Sequence, residues 1–300
     1  PWGQIPVWGF ADVAASRHPD IAEGTRVYGY LPMARQLRVQ PGQISKSSFT
    51  DIAAHRKDLP GIYNQYVFTA NDPAYRPEHE AFQMLLRPLL VTSFLLDDFM
   101  AQKDFFEAEQ VILTSASSKT ALGLAFMLNH QRGDRGKPRV LTALTSPGNI
   151  EFVRGLGYYD RVVAYDDLET LDADETSVSV DFAGNGKVLS QLHEHFGDQL
   201  KFSSLVGASH WDQRGGSKGL PGPKPELFFA PKYWEQAAVE YGTAQLMQRF
   251  AGLWTPLVAS MEQWMTISEV RGPENVARAY EETLEGRVSP EQGLILTLAP

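Results

Sequence analysis

The sequence predicts an α/β fold in which crossover helices wind a parallel sheet, joined to a separate β-rich region. Three observations carry that expectation. From residue 110 onward, short β-branched runs alternate with stretches of helical periodicity, the pattern of repeated βαβ units. Residues 1 to about 85 are instead rich in Pro, Gly and aromatic residues, with little helical periodicity. The 300-residue chain, 43% hydrophobic and 21% charged, is long enough to bury one large core or two.

Taken in order, residues 5–10, 26–31 and 36–39 read as short strands with tight turns. Residues 46–76 read as a long irregular insertion or lid. From Pro77 the apolar residues fall at helical spacing, with Pro88 marking a kink or a new start. The alternation follows: QVILTS a strand, KTALGLAFMLNH a helix, RVLTAL a strand, NIEFVRGLG a helix, RVVAY and VSVDFAG strands, KVLSQLHEHF a helix, FSSLVGAS a strand. Residues 226–230 read as a last short strand, then helices over about 232–250 and 253–264. A helix over 273–285 and a strand over 294–298 close the chain.

Composition narrows the function classes. A net charge of −9 argues against a nucleic-acid surface, leaving a small-molecule ligand as the expected partner. No apolar run has the length of a bilayer span, and PWGQIPVWGF lacks the regions of a signal peptide, so a cytoplasmic protein with no membrane partner is expected. The absence of cysteine removes disulfides, thiolate zinc sites and cysteine nucleophiles. Opening directly on Pro1, the numbering is expected to begin inside a longer chain.

The chemistry-bearing segment is VILTSASSKTALGLAFML, residues 111–128. A strand running through a tight turn into a helix is the dinucleotide-binding, Rossmann-type arrangement. Glycines there let the backbone approach a pyrophosphate held by the helix N-terminus. On the GxxGxxG frame, Ser115, Ser118 and Ala121 occupy the three glycine positions. Small residues keep a close approach, and the turn Ser115, Ala116, Ser117, Ser118, Lys119 and Thr120 offers hydroxyls and one cation to phosphate. Locally an ordinary helix cap is the stronger account of the Ser and Thr content, and only the surrounding β/α alternation turns the balance toward a ligand site. An ATP-type loop is excluded, because Ser118 and Leu113 stand where it needs glycine. After the second strand, Thr145 and Ser146 replace the acid that an NAD site presents to the ribose, which favours NADP.

The order of these blocks resembles the medium-chain dehydrogenase/reductase superfamily, nearest to its quinone-oxidoreductase and enoyl-reductase branches. GTRVYGYLPMARQLRVQP resembles that family's GDRVxG segment in its GroES-like catalytic domain, and ENVARAYEETLEGRVSPEQGLILTL its closing helix and strand. More narrowly, WGFADV, RVYGYLPMA, SASSKTALGLAFML and LPGPKPELFF resemble an uncharacterised domain-of-unknown-function branch. The resemblance implies a GroES-like domain over 1–85 and 266–300, N-terminally incomplete, and a Rossmann-type cofactor domain over 86–265. It implies NADP contacts at Ser115 to Thr120, Thr145, Ser146, Tyr165, Gly184, Gly207 and Ala208. It further implies a homodimer through the sheet edge near residues 227–229. Zinc-dependent members use cysteine ligands, so a zinc-independent enzyme with no metal is expected.

Lesser candidates complete the reading. His210 follows the fifth strand and is a weak proton-donor candidate. Tyr63 and Asn64 in the irregular segment, and Phe228 and Phe229, are weak pocket-lining candidates. His193 and His195, two apart on a helix, read as surface residues, and Asp97 and Asp98 as solvated or capping. The expected function is a zinc-independent, NADP-dependent reductase passing hydride to a carbonyl or an activated alkene. The alternatives are a binding or partner protein without redox activity, and a non-redox, lyase-like enzyme.

Overall fold

The computed structural model describes residues 5–207 and 219–299. The chain divides into two compact units, residues 1–88 with 242–300, and residues 89–241.

The first unit opens with β1 (Pro6–Asp12), β2 (Arg26–Pro32), β3 (Pro41–Gly42), β4 (Ser48–Asp51) and β5 (Gln65–Phe68), an antiparallel sheet in the order β1-β2-β5-β4-β3. Residues 46–76 are therefore not an irregular lid. They supply two strands of this sheet, and Phe49, Tyr66 and Phe68 from them fill its core. Each strand is only four residues long, with two short 3₁₀ turns between them, so alternation had little length in which to show. Residues 36–39 carry no strand. Helix α1 (Glu80–Gln102) runs unbroken through Pro88. Leu86 and Leu90 are fully buried on either side of the proline, and that burial offsets the one missing amide bond.

The second unit holds β6 (Gln110–Leu113), α2 (Lys119–Arg135), β7 (Val140–Thr145), α3 (Ile150–Gly155), β8 (Arg161–Ala164), β9 (Ser177–Asp181), α4 (Gly186–Phe196), β10 (Leu200–Leu205), β11 (Glu226–Leu227) and α5 (Ala230–Tyr241). Its six strands are all parallel, in the order β11-β10-β9-β6-β7-β8. Chain order reverses between β6 and β9, the switch point beyond which doubly wound sheets bind ligands. Inside the sheet a polar ladder crosses three strands: Gln110 donates to Ser177 Oγ at 2.9 Å and accepts from Thr142 Oγ1 at 2.9 Å. All three residues are fully buried. Helix α2 packs closely on α1, because a Cβ at Gly123 would meet Leu90 at 2.3 Å.

The chain then returns to the first unit through α6 (Thr243–Met261), β12 (Thr266–Arg271), α7 (Pro273–Leu284) and β13 (Gln292–Thr297). The sequence joins 232–250 in one helix, but Gly242 at φ 79° breaks it, a conformation that glycine adopts without strain. Strand β12 is an addition to the sequence reading and pairs in parallel with β13.

Candidate functional site

The C-terminal ends of β6, β7, β8 and β9 bring most of the expected residues together. Ser115 leaves β6 at φ +47°, the left-handed region that the first glycine of such turns ordinarily occupies. Its N–H donates to the Tyr165 hydroxyl at 2.9 Å, so the residue after β8 pins the turn after β6. Ala116 is fully buried, and its N–H reaches Leu144 O at 3.1 Å. Ser117 Oγ accepts from Asn149 Nδ2 at 3.0 Å, tying the turn to the segment after β7. Ser118 caps α2 through Ala121 N, which is the structural role the local reading allowed. Lys119 opens the helix half-buried, and desolvation lowers its pKa. A cation is unfavourable at a helix N-terminus as well, so both effects favour an anion beside it.

Sequence reasoning missed four residues here. The Tyr159 hydroxyl donates to Ala116 O at 3.1 Å and Ala121 O at 3.4 Å, bracing the turn from below. Burial pushes its pKa well up, which keeps it a proton donor. At the switch point the Thr114 hydroxyl donates to Asp181 Oδ1 and accepts from the amides of Phe182 at 3.0 Å and Ala183 at 3.2 Å. The Asp181 carboxylate also accepts from Ala183 at 3.0 Å and Gly184 at 3.2 Å. With Asn149, these are polar residues ending or following apolar runs, and that placement was the available signal.

Thr145 ends β7 with 1% exposure, and its Oγ1 has no hydrogen-bond partner among the described residues. A buried hydroxyl left so is costly, and a ligand at this strand end would satisfy it. Ser146 beside it is exposed. Gly184 stands at φ +65°. At Gly207 a Cβ would lie 2.3 Å from Phe182 O, so only glycine permits that backbone approach. Ala208 and His210 lie outside the described residues.

The remaining candidates lie on other elements. Phe228 is buried and stacked on Tyr233 at 4.0 Å, while Phe229 and Leu227 are exposed. Tyr63 and Asn64 belong to the first unit, where the Asn64 side chain is engaged with Arg56 at 2.9 Å through both its oxygen and its nitrogen. His193 is not a surface residue. It is fully buried, with Nδ1 2.8 Å from Pro221 O and Nε2 2.9 Å from Ser203 Oγ. His195 is partly buried and bonds Leu171 O at 2.9 Å. Asp97 and Asp98 are buried as well. Asp97 pairs with Arg135 and Gln131 at 2.7 Å, and Asp98 accepts from Gln102 at 2.8 Å. Neighbouring helices cover faces that spacing alone left open. Among the described residues no group of three His, Asp or Glu side chains is placed to hold a metal.

A family model described as protein of unknown function (DUF2855) matches residues 1–289, and the chain belongs to that family. No curated protein matches the sequence. Among solved structures, the chain is similar to the yhdH oxidoreductase of Salmonella enterica in complex with NADP, at 11% identity and TM-score 0.52, over 99% of this chain and 92% of that one. It is similar to a putative NADPH:quinone reductase of Mesorhizobium loti at 11% identity and TM-score 0.57, over 97% and 76%. A third likeness is to Bacillus subtilis yhfP with NAD bound, at 17% identity and TM-score 0.53, over 97% and 80%. These likenesses establish the fold, a Rossmann-type doubly wound sheet with a GroES-like β-rich domain.

Proposed function

We propose that this DUF2855 member is a zinc-independent, NADP-dependent oxidoreductase that passes hydride to a carbonyl or an activated alkene. The observation that carries the reading is the turn after β6. It keeps the left-handed backbone of a phosphate-binding turn at Ser115 although no glycine stands there, and strain of that kind persists where surrounding contacts enforce it. The residues fit the cofactor. Ser115 to Thr120 and the N-terminus of α2 would hold the pyrophosphate. Thr145, whose buried hydroxyl lacks a partner, and Ser146 would take the adenosine ribose end, with no acid to repel a 2′-phosphate. Tyr165 fixes the turn, and Gly184, Gly207 and Ala208 would flank the nicotinamide half. The bound nicotinamide supplies the hydride; the chain binds and orients it. Structural relatives with NADP bound support the cofactor choice, and the absence of cysteine supports independence from zinc. The enzyme would pair as a homodimer along the β11 edge, where Leu227 is 71% exposed.

Titrating NADPH and NADH against intrinsic tryptophan fluorescence tests this. Saturable binding with NADPH tighter than NADH is the expected result, and no binding of either at millimolar concentration overturns it. One observation favours a second reading, a binding protein without redox activity. The turn's own groups are engaged internally, Ser118 in the helix cap, Ser117 with Asn149 and the Ser115 amide with Tyr165.

A further inference from the structure

The first unit carries a feature that the cofactor reading does not use. On one face of the β1–β2 pair stand Trp8 and Phe10, opposite Tyr30 and Tyr28 in register. The other face of β2 is closed, since a Cβ at Gly29 would lie 2.6 Å from the Tyr66 ring. Tyr63 comes in from the 3₁₀ turn before β5 and completes a corner. Its ring centre lies 4.9 Å from Tyr30 and 6.1 Å from Trp8, and Trp8 lies 5.1 Å from Tyr30, with the planes tilted by 42 to 49°. All three rings are half-buried.

Two features of this corner suit it to a ligand. Its polar tips are unused: the Tyr30 and Tyr63 hydroxyls and the Trp8 indole N–H make no hydrogen bond among the described residues. The rings are half-buried rather than in the core, so these groups remain open to a ligand. The position of Tyr63 is also fixed by a buried lock. Arg56 donates to Asn64 Oδ1 and to Tyr63 O, Asn64 returns a bond to Arg56 O, and Asp51, 2% exposed, sits 3.6 Å behind the guanidinium. That carboxylate balances the Arg56 charge, so the corner has no net charge of its own. Burial raises the Tyr30 pKa, which keeps its hydroxyl a donor.

We propose that Trp8, Tyr30 and Tyr63 form a binding site for a flat, uncharged aromatic ligand that carries hydrogen-bonding oxygen. The tilted rings offer stacking and edge contacts at once, and the three tips supply donors at the rim. The inference stands on the first unit alone and holds whether or not the second unit binds NADP.

Calorimetric titration of the full chain without any nicotinamide cofactor tests it, with 2-naphthol as probe and its saturated decahydro analogue as control. The expected result is saturable 2-naphthol binding and at least tenfold weaker binding of the analogue. Trp8→Leu should weaken 2-naphthol about tenfold, the scale of one aromatic contact. Tyr30→Phe and Tyr63→Phe, which keep both ring and fold, should each weaken it severalfold. Equal affinity for the saturated analogue overturns the proposal, as does unchanged 2-naphthol affinity in both Phe variants or no binding to the parent chain. A variant with the α2 turn altered, Ser118→Asp, separates this site from the cofactor reading: NADPH binding falls and 2-naphthol binding stays as in the parent.

Discussion

Strand β6 is entered and left through residues that are not glycine yet stand in the left-handed region. On the entry side Asp104, Phe105, Phe106 and Glu107 do so in succession, at φ 46 to 60°. On the exit side Ser115 does so alone. Each such residue costs roughly 1–2 kcal/mol, so both ends need compensation, and they find it in different chemistry. The entry turn is held by rings: Phe105 is 2% exposed, and Phe106 stacks on Phe202 at 4.2 Å and 5°. The exit turn is held by hydrogen bonds, donated by Tyr159 and Asn149 and accepted by Tyr165 and the neighbouring strand. Apolar packing suits the end of a parallel sheet that holds no ligand. A polar frame suits the end where a ligand would exchange hydrogen bonds with the protein.

That contrast can be broken at either end. The largest effect is expected from Asp181→Ala, which takes the acceptor from the Thr114 hydroxyl and the Gly184 amide; a loss of about 3 kcal/mol in denaturant unfolding follows from orphaning them. Phe106→Ala comes next, at about 2 kcal/mol, because it removes the ring that anchors the entry turn. It should leave NADPH affinity unchanged, whereas Asp181→Ala should weaken it; equal effects on affinity would erase the distinction between the ends. His193 offers a control belonging to neither end. Burial lowers its pKa below the unfolded value of 6.5, so the unfolded chain takes up a proton that the folded chain resists. Stability is therefore fully present above pH 6.5 and declines as pH falls through the lowered folded value. That decline should disappear in His193→Gln and persist with the same slope in the variants at either end. The smallest effects are gains. Glu107→Gly and Ser115→Gly should each raise stability by about 0.5–1 kcal/mol by releasing left-handed strain, measured as an upward shift of the urea midpoint.

Much of the second unit was legible because its strands are apolar runs separated by helices with clear caps, such as Ser118 and Asn185. The first unit was harder to read. QYVF at β5 and SFTD at β4 are too short for a period to emerge, and only pairing with β2 makes them strands. For the candidate site, spacing singled out the Ser115–Thr120 turn and Thr145, and the family resemblance added Tyr165; the fold brings these to one end of the sheet. It could not find Thr114 with Asp181, since their partnership joins residues 67 apart in sequence. Nor did spacing foresee that the two carboxylates on α1 and the His193 ring are covered by neighbouring helices and loops.

The ladder of Ser177, Gln110 and Thr142 has a consequence for how the sheet assembles. Where strands are apolar on both faces, sliding one past the next by a residue buries nearly the same surface, so greasiness alone is a poor guide to alignment. Three interlocking polar side chains act as a key: any misaligned pairing leaves an amide and two hydroxyls stranded in the interior. Proofreading of strand alignment is thus written into the middle of the parallel sheet, on three strands that lie side by side.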